Sequence, residues 1–404
     1  MRAQIWRPRR TGRSRATEDA AILTQANTAQ AEHDSSGLSA HWRQPGDVAT
    51  AEWRALHDRA LEPNPFYTPE VVRAAADHLP DGARLRLLAV YRGERLSGLF
   101  PLVADRRRYV VPLPLLRAGD FYGPLSTPLL DPEGPEDIWL AMLDLMEAAG
   151  VRGLLLPFLT EGGAAERALL VALGRSGRIG AVLARYGRAM LRSDLSGADY
   201  VRATLETRRR KEADRQRRRL AEQGELVFRL VRAPSDIGPA LEAFLDLEAS
   251  GWKGRRGTDL KHAQGAADFI RAAVRGLAER DAGRVGILSS GGRVVAAGIV
   301  VLSGTRAYYI KTAYDEAFAR YSPGLLLTLD LTRHLLDDPG IADADSVAVA
   351  GHPMIDPLWT ARQPIISLLV AARPGADPVF RLVLSLEKLR EKLRVSTARI
   401  RAAF

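Results

Sequence analysis

The spacing of hydrophobic positions changes repeatedly along the first half of the chain. Spacing of three and four residues predicts helices, whereas alternation or short apolar runs predict strands. By these rules the first half contains two helices, a three-strand region with a hairpin turn, a helix, a strand and a helix, at residues 47–61, 62–79, 85–119, 136–150, 151–159 and 164–177. This mixture of helices and strands predicts a mixed α/β domain.

The second half repeats this order of elements about two hundred residues further on. Two helices, three strands joined by glycine-rich turns, a helix and a strand are predicted at residues 233–252, 264–281, 285–315, 322–338 and 344–350. Since the two halves share one order of elements, we expect a duplicated α/β fold with a mixed sheet in each half.

Polar and charged segments suggest where the domains begin and end. We predict a disordered basic tail, a first domain, a basic linking helix, a second domain and an amphipathic terminal helix, at residues 1–39, 40–200, 201–224, 225–375 and 376–404. The linking helix contains the arginine-rich run 208–219. It has no aromatic residues interleaved for base stacking, so a solvated helix between domains is the simpler interpretation.

Composition excludes several kinds of chemistry. The 404 residues include no cysteine, which rules out disulfides, cysteine-ligated zinc and a covalent cysteine intermediate. The seven histidines show no paired spacing for a metal, so we expect none. A formal charge of +10 favours an anionic partner but does not select one.

Hydropathy along the chain gives an expectation about location. No window approaches the roughly 18 uninterrupted apolar residues of a membrane span. The first twenty residues are basic but lack the apolar stretch of a secretory signal. We therefore expect no membrane span and a cytoplasmic location.

The junction between the strand that begins near Ala307 and the following helix is the first candidate site. Backbone N–H groups and the positive end of a helix dipole meet at such a junction and favour an anion. Ser322 is placed to cap the helix, and Pro323 suits its first turn. Gly324 leaves room for a phosphate. Ordinary helix capping explains the same residues without a ligand.

The preceding strand carries candidate catalytic residues. Alternation along a strand would place Tyr309 and Lys311 on one face, where a cation beside a hydroxyl could stabilise an oxyanion. Asp315 and Glu316 follow as candidate bases, although acids in a loop are commonly solvated or cap a helix. A lysine extending from an exposed edge strand is the alternative for Lys311.

Two further segments supply candidates near the same cleft. Glu248 would point into the cleft from the last turn of a helix, and Trp252 and Lys253 follow in a glycine-rich loop that could order over a ligand. His352 and Asp356 follow a predicted strand, and a histidine titrates close enough to neutral pH to carry a proton. A flexible basic connector and a turn histidine are the alternatives.

Six stretches carry a resemblance to a known family. LEASGWKGRRGTDL, YYIKTAYDEAFARYSPGLLL and HPMIDPLW in the second half, with AEWRALHDRALEPNPFYTPE, GLFPLV and DFYGPLSTPLLD in the first, resemble signatures of CelD/BcsL-like proteins. This group is also called BioF2-like acetyltransferases. It is related to the tandem GNAT-fold Fem aminoacyl transferases. The resemblance covers residues from about 41 to 373.

The resemblance implies two GNAT-like domains and N-acyl transfer from acetyl-CoA or another acyl-CoA to an amine or a sugar-linked acceptor, without a metal. It implies that Arg320, Tyr321, Ser322 and Gly324 hold the donor pyrophosphate, and that the work concerns an exopolysaccharide or envelope precursor. Two other functions stay open: a transferase using aminoacyl-tRNA, which would bind the basic helix, and a non-catalytic polysaccharide assembly factor. The sequence gives no oligomeric state.

Overall fold

The computed structural model describes residues 31–33, 37–105, 113–375 and 377–403. Its strands are β1 (Ala31–His33), β2 (Leu38–Arg43), β3 (Leu85–Arg92), β4 (Arg95–Ala104), β5 (Leu115–Ala118), β6 (Leu129–Leu130), β7 (Gly153–Thr160), β8 (Gly180–Leu191), β9 (Leu226–Val231), β10 (Gly283–Ser290), β11 (Arg293–Ser303), β12 (Arg306–Tyr314), β13 (Asp343–Asp345) and β14 (Ala361–Ala371).

The α-helices are α1 (Thr50–Arg59), α2 (Pro69–His78), α3 (Pro135–Ala148), α4 (Ala164–Ser176), α5 (Gly197–Thr204), α6 (Thr207–Ala221), α7 (Pro234–Ser250), α8 (Trp252–Arg255), α9 (Ala266–Ala278), α10 (Pro323–Asp337) and α11 (Pro378–Ala403). Short 3₁₀ helices occur at Pro65–Tyr67, Gly82–Arg84 and Glu316–Tyr321. None of the described helices is long and apolar enough to cross a membrane.

The chain forms two compact units. Unit 1 comprises the described residues of Met1–Val72, Asp81–Tyr186 and Pro364–Phe404, and unit 2 comprises Arg73–Pro80 and Gly187–Gln363. These units divide the chain differently from the predicted domains, because β14 pairs with β7 and thereby returns to unit 1. Most of the predicted tail lies outside the described residues, while 31–33 and 38–39 lie in strands.

Unit 1 is built on a mixed sheet in the order β1, β2, β3, β4, β5, β7, β14, with β6 paired to β4. Strands β5 and β7 are parallel, and the other pairs of this order are antiparallel. Helix α11 closes one small core by burying Phe380 and Val383 against apolar residues of the sheet, including Leu155 and Leu369. Burial of these side chains is the main force that holds the helix in place.

Unit 2 has the strand order β8, β13, β12, β11, β10, β9. Only β12 and β13 are parallel among these pairs. Helix α7 packs against β11 and β12, and helix α10 packs against β10, β11 and β12. Its two helices, three-strand meander, helix and short strand follow the predicted order, which confirms the α/β mixed-sheet fold class.

The strand predicted at 344–350 is much shorter in the structure, where β13 ends at Asp345. The Val347 N–H donates to Asp345 Oδ1 at 2.7 Å, and the backbone of Val347 adopts a positive φ of 54°. A β-branched residue rarely adopts this conformation, and the turn it forms ends the strand. The prediction of a seven-residue strand was therefore wrong.

Candidate functional site

Helix α7 ends in a buried carboxylate that is shared by two lysines. Only 1% of the Glu248 side chain is exposed, and its Oε1 lies 2.6 Å from Lys253 Nζ and 3.4 Å from Lys311 Nζ. The other oxygen, Oε2, accepts from the Leu260 N–H at 3.0 Å. We call Glu248, Lys253 and Lys311 the two-lysine cluster. Its side chains come from helix α7, the short helix α8 and strand β12. Lys253 therefore lies in a short helix, whereas the sequence predicted a loop.

The two-lysine cluster carries more positive than negative charge. Burial would raise the pKa of the Glu248 carboxyl, but the charges of Lys311 and Lys253 outweigh burial and hold that pKa below its ordinary value. Burial lowers the pKa of Lys311, and the attraction of Glu248 opposes this only in part. One carboxylate therefore serves two ammonium groups. The remaining positive charge favours an anion or a developing oxyanion.

A β-bulge separates Tyr309 from Lys311. In the pairing of β11 with β12, Val300 lies opposite Tyr309 but Ile299 lies opposite Lys311, so Ile310 is an extra residue. Because neighbouring residues of β11 point to opposite faces, Tyr309 and Lys311 point to opposite faces as well. The prediction that they share a face was wrong, since simple alternation does not allow for a bulge.

Tyr309 is a core residue on the side of helix α10. Its hydroxyl lies 3.2 Å from Thr328 Oγ1 and accepts from the Thr312 hydroxyl, while Thr328 Oγ1 donates to the Gly324 carbonyl at 2.8 Å. Burial raises the pKa of Tyr309, so the phenol stays neutral. The ring packs with Trp359 at a centroid distance of 6.2 Å. These contacts connect Tyr309 with the beginning of helix α10 and separate it from the two-lysine cluster.

The beginning of helix α10 differs from the prediction in its capping and in its free backbone N–H groups. Ser322 adopts a left-handed conformation with φ 50° and makes no side-chain capping bond, so the prediction that it caps the helix was wrong. The Leu325 and Leu326 N–H groups both donate to the Ser322 carbonyl, and Pro323 has no N–H. Fewer backbone donors are therefore left for an anion than a regular helix end provides.

Gly324 and Arg320 contribute in different ways at this helix end. A Cβ on Gly324 would lie 3.4 Å from Tyr314 Cδ1 and 3.8 Å from Thr312 Cγ2. These are ordinary van der Waals contacts, so a methyl group at this position would touch β12 without a clash. Arg320 is exposed, and its guanidinium lies 4.7 Å above the ring of buried Tyr321. Arg320 is therefore a cation beside this helix end that can reach a solvent-borne phosphate.

Substituting Ser322 with glycine should stabilise the protein by about 0.5 kcal/mol. Relief of the left-handed conformation contributes about 1–2 kcal/mol, and the more flexible unfolded chain offsets about 0.4–1 kcal/mol of it. Ser322→Ala, which keeps the unfavourable conformation and removes no capping bond, should leave the free energy of unfolding almost unchanged. Denaturant titration of both variants measures the difference, and equal values would contradict the assigned conformation.

Asp315 and Glu316 are committed to neighbouring chain segments. Asp315 accepts from the Ala317 N–H at 2.9 Å and forms an ion pair with Arg293. Glu316 accepts from the Trp252 N–H at 2.5 Å and from Arg255 at 2.7 Å. Glu316 therefore holds the short helix α8 in place, and Trp252 stacks with Arg256 at 5.2 Å.

His352 and Asp356 lie in the turns between β13 and β14. Burial lowers the pKa of the His352 imidazole despite the opposing charge of Asp356, so the ring is neutral at neutral pH. His352 Nδ1 accepts a long bond of 3.4 Å from the Met354 N–H. Asp356 accepts from the Gly351 N–H at 2.8 Å and lies 3.7 Å from Arg362. Met354 in turn contacts Thr328 of helix α10.

The predicted site residues thus form separate groups in unit 2. Glu248, Lys253 and Lys311 come together, and Tyr309 comes together with the beginning of helix α10. Sequence reasoning missed Thr328, whose hydroxyl links Tyr309 to Gly324, and the clamping role of Glu316. It also missed Asp259 in the segment between helices α8 and α9. Asp259 is buried and accepts from His262 Nδ1 of the same segment at 2.7 Å. The Thr328 hydroxyl lies four residues after Gly324, a spacing that signals a bond to the helix backbone.

Comparison with known proteins identifies the class of fold. Residues 207–350 match the family model described as an acetyltransferase (GNAT) domain, and this range contains the two-lysine cluster and the beginning of helix α10. The chain has a mixed α/β, GNAT-like fold. No curated protein matches the chain in sequence.

Solved structures agree with this class at low sequence identity. FemX is similar with a TM-score of 0.54 and 11% identity, over 83% of this chain and 98% of that chain. The C-terminal domain of a candidate lysylphosphatidylglycerol synthetase from Agrobacterium fabrum is similar with a TM-score of 0.53 and 14% identity, over 83% of this chain and 94% of that domain. L-PGS from Bacillus licheniformis is similar with a TM-score of 0.51 and 11% identity, over 86% of this chain and 98% of that chain. At these identities the similarity establishes the fold alone.

Proposed function

We propose that unit 2 catalyses N-acyl transfer from acyl-CoA to an amine, in a reaction without a covalent intermediate. The acceptor amine attacks the thioester carbonyl, the C–S bond breaks, and CoA leaves as a thiol. The observation that carries the proposal is the two-lysine cluster, with its excess positive charge beside the bulge of β12. The match of this range to the acetyltransferase domain supports the same chemistry.

In this proposal Lys311 supplies charge to the oxyanion that develops on the thioester carbonyl. Lys253 keeps Glu248 ionised, so that Lys311 is positioned without being fully neutralised. His352 accepts the proton of the attacking amine, because its neutral imidazole is a better base at neutral pH than Asp315, which caps a helix and pairs with Arg293. The thiolate of CoA takes up that proton on release.

Donor and acceptor would both bind beyond the carboxyl end of β12, where Glu316 accepts from the Trp252 N–H. Arg320 and the beginning of helix α10 would hold the pyrophosphate, with Tyr321, Ser322 and Gly324 shaping the backbone there. Trp252, Lys253 and Asp356 would contact the acceptor. The resemblance to CelD/BcsL-like proteins supports an exopolysaccharide or envelope precursor as that acceptor. We place the reaction in the cytoplasm, as the hydropathy of the sequence led us to expect.

Arg320→Ala should weaken acetyl-CoA binding by about tenfold, because a bond between a guanidinium and a phosphate contributes about 1.5–3 kcal/mol. Calorimetric titration with acetyl-CoA and desulfo-CoA measures the change. Arg256→Ala is the matched control, since Arg256 also stacks on an aromatic ring but lies at the acceptor loop. Equal donor affinity in wild type and Arg320→Ala would remove the donor assignment at helix α10.

A second function is favoured by helix α6. Arg208, Lys211, Arg218 and Arg219 are exposed and form no ion pair within the described residues, whereas the opposite face buries Ala213 and Leu220. Arg217 fixes the helix to α10 through Asp330 at 2.7 Å. A displayed basic stripe suits the phosphates of an aminoacyl-tRNA donor, the donor of the related Fem transferases.

Calorimetric titrations of the protein with acetyl-CoA and with tRNA separate the acyl-CoA reaction from its alternatives. Acetyl-CoA binding supports the acyl-CoA reaction. Absence of acetyl-CoA binding together with tRNA binding that weakens steeply as salt rises would replace the donor by aminoacyl-tRNA. Binding of neither would favour the non-catalytic assembly factor.

A further inference from the structure

Helix α11 displays an apolar stripe on the face opposite its buried side. Phe380, Val383 and Glu387 are buried in unit 1, with exposed fractions of 1%, 0% and 4%. Leu382, Leu389 and Leu393 are instead 51%, 55% and 61% exposed. At spacings of seven and four residues these leucines lie within about 20° of one line along the helix.

Cations flank this leucine stripe. Arg381, Lys388 and Arg390 are exposed, and none of them forms an ion pair with another residue that the structure describes. The sequence of the helix, residues 378–403, contains seven Lys or Arg and two Glu, a formal charge of +5. One of those two acids is the buried Glu387, so it does not lie on the displayed side with the exposed Arg381, Lys388 and Arg390.

Charge decides between two occupants of the stripe. The four- and three-residue spacing of Leu382, Leu386, Leu389 and Leu393 would also suit a coiled coil with a second copy. Two such helices would bring together two charges of +5, and beside the seam the exposed Arg390 has no acid at its own position to neutralise it. An anionic bilayer offers both an apolar phase for the leucines and negative charge for the flanking cations.

We infer that helix α11 is a membrane-surface anchor that lies in the plane of an anionic lipid interface. Leu382, Leu389 and Leu393 enter the acyl boundary, and Arg381, Lys388 and Arg390 contact the headgroups. At 26 residues the helix is about 39 Å long, so the leucines occupy about 17 Å of its first two thirds. The anchor belongs to unit 1 and does not depend on the reaction proposed for unit 2.

Cosedimentation of the full chain with vesicles tests the anchor. Binding is expected to vesicles of equal parts phosphatidylglycerol and phosphatidylcholine, not to pure phosphatidylcholine, and should weaken as salt screens the headgroups. The double variant Leu389→Gln, Leu393→Gln should bind at least about tenfold more weakly, because each leucine loses its transfer to the apolar phase. Leu170→Gln on helix α4 is the matched control, since Leu170 is 51% exposed, as Leu382 is.

Two readouts keep the test decisive. Circular dichroism and the unfolding midpoint must agree among wild type, double variant and control, since all three leucines changed are exposed. Failure of the wild-type chain to bind the anionic vesicles, or equal binding by the double variant, would overturn the anchor. If analytical ultracentrifugation shows a dimer that the double variant dissociates while vesicle binding is unchanged, the stripe is a seam between copies and the lipid proposal is wrong.

Discussion

Replacing Glu248 with glutamine is expected to lower the free energy of unfolding by about 3 kcal/mol at neutral pH. Loss of one member of a buried ion pair typically costs about 3–5 kcal/mol, because the partner charge stays buried without compensation. Here two ammonium groups, at 2.6 and 3.4 Å, lose the same carboxylate. The lower end of that range applies, because the side chains of Lys253 and Lys311 are 23% and 22% exposed and retain some water.

The pH dependence of this difference follows from the directions of the pKa shifts. The pKa of Glu248 is depressed in the folded state, so its contribution is complete above the unfolded value of about 4.3 and is lost as pH falls through the folded pKa. The pKa of Lys311 is also depressed, so the folded state gains stability as pH rises from that pKa toward about 10.4. The gap between wild type and Glu248→Gln should therefore be widest near neutral pH and shrink in acid and in base.

Glu242→Gln on the same helix provides the matched control. Glu242 pairs with Arg271 through two bonds of 2.7 and 2.9 Å, but its side chain is 41% exposed. Exposed ion pairs contribute at most about 1 kcal/mol, so this variant should lose little stability. Urea titrations of both variants across pH would show the contrast. Equal losses for Glu242→Gln and Glu248→Gln would mean that the two-lysine cluster is hydrated rather than buried.

The order of elements was predictable because it depends on local periodicity. The helix predicted at 322–338 is observed at Pro323–Asp337, and the basic segment 208–219 lies within the helix Thr207–Ala221. The pairing of β14 with β7 was not predictable in this way. It joins residues about two hundred positions apart, and no local pattern specifies which strand a distant segment will pair with.

The site was predictable in composition but less so in geometry. Glu248 was predicted to point into the cleft from the end of its helix, and Lys253 and Lys311 were predicted as candidates in a loop and a strand. The fold brings these three side chains together. Tyr309 was assigned to the wrong face because one extra residue, Ile310, reverses the alternation of β12. A bulge is set by pairing across strands, so the residues of β12 alone do not reveal it.

The two-lysine cluster and the placement of Tyr309 on the other face together narrow the role proposed for Lys311. Tyr309 is neutral, lies on the other face and is hydrogen bonded to threonines, so it does not act with Lys311 on the oxyanion. It shares the charge of Glu248 with Lys253 instead. The catalytic proposal for β12 then rests on the Lys311 ammonium group, whose counter-ion, the Glu248 carboxylate, also pairs with Lys253.

Lys311→Met is accordingly expected to lower turnover by about 100-fold, because removal of one group that stabilises an oxyanion costs about 10²–10³ in kcat. Acetyl-CoA affinity should change little, since the charge acts on the transition state rather than on the bound thioester. Release of the CoA thiol, followed with an amine acceptor from a screen of envelope sugars, measures turnover, and calorimetry measures donor affinity.

Lys253→Met is the matched comparison for Lys311→Met. Each variant removes one ammonium group from Glu248 and keeps a linear apolar stem. Both therefore leave the carboxylate one lysine and the Leu260 N–H, and should unfold at similar denaturant concentrations. If Lys311 acts on the reacting carbonyl, kcat should fall by about two orders of magnitude in Lys311→Met but not in Lys253→Met. Lys253→Met should affect acceptor binding more than turnover, because Lys253 lies in helix α8, which we assign to acceptor binding. Equal losses in turnover and donor affinity for Lys311→Met would instead make Lys311 a donor contact, and the oxyanion would need another partner.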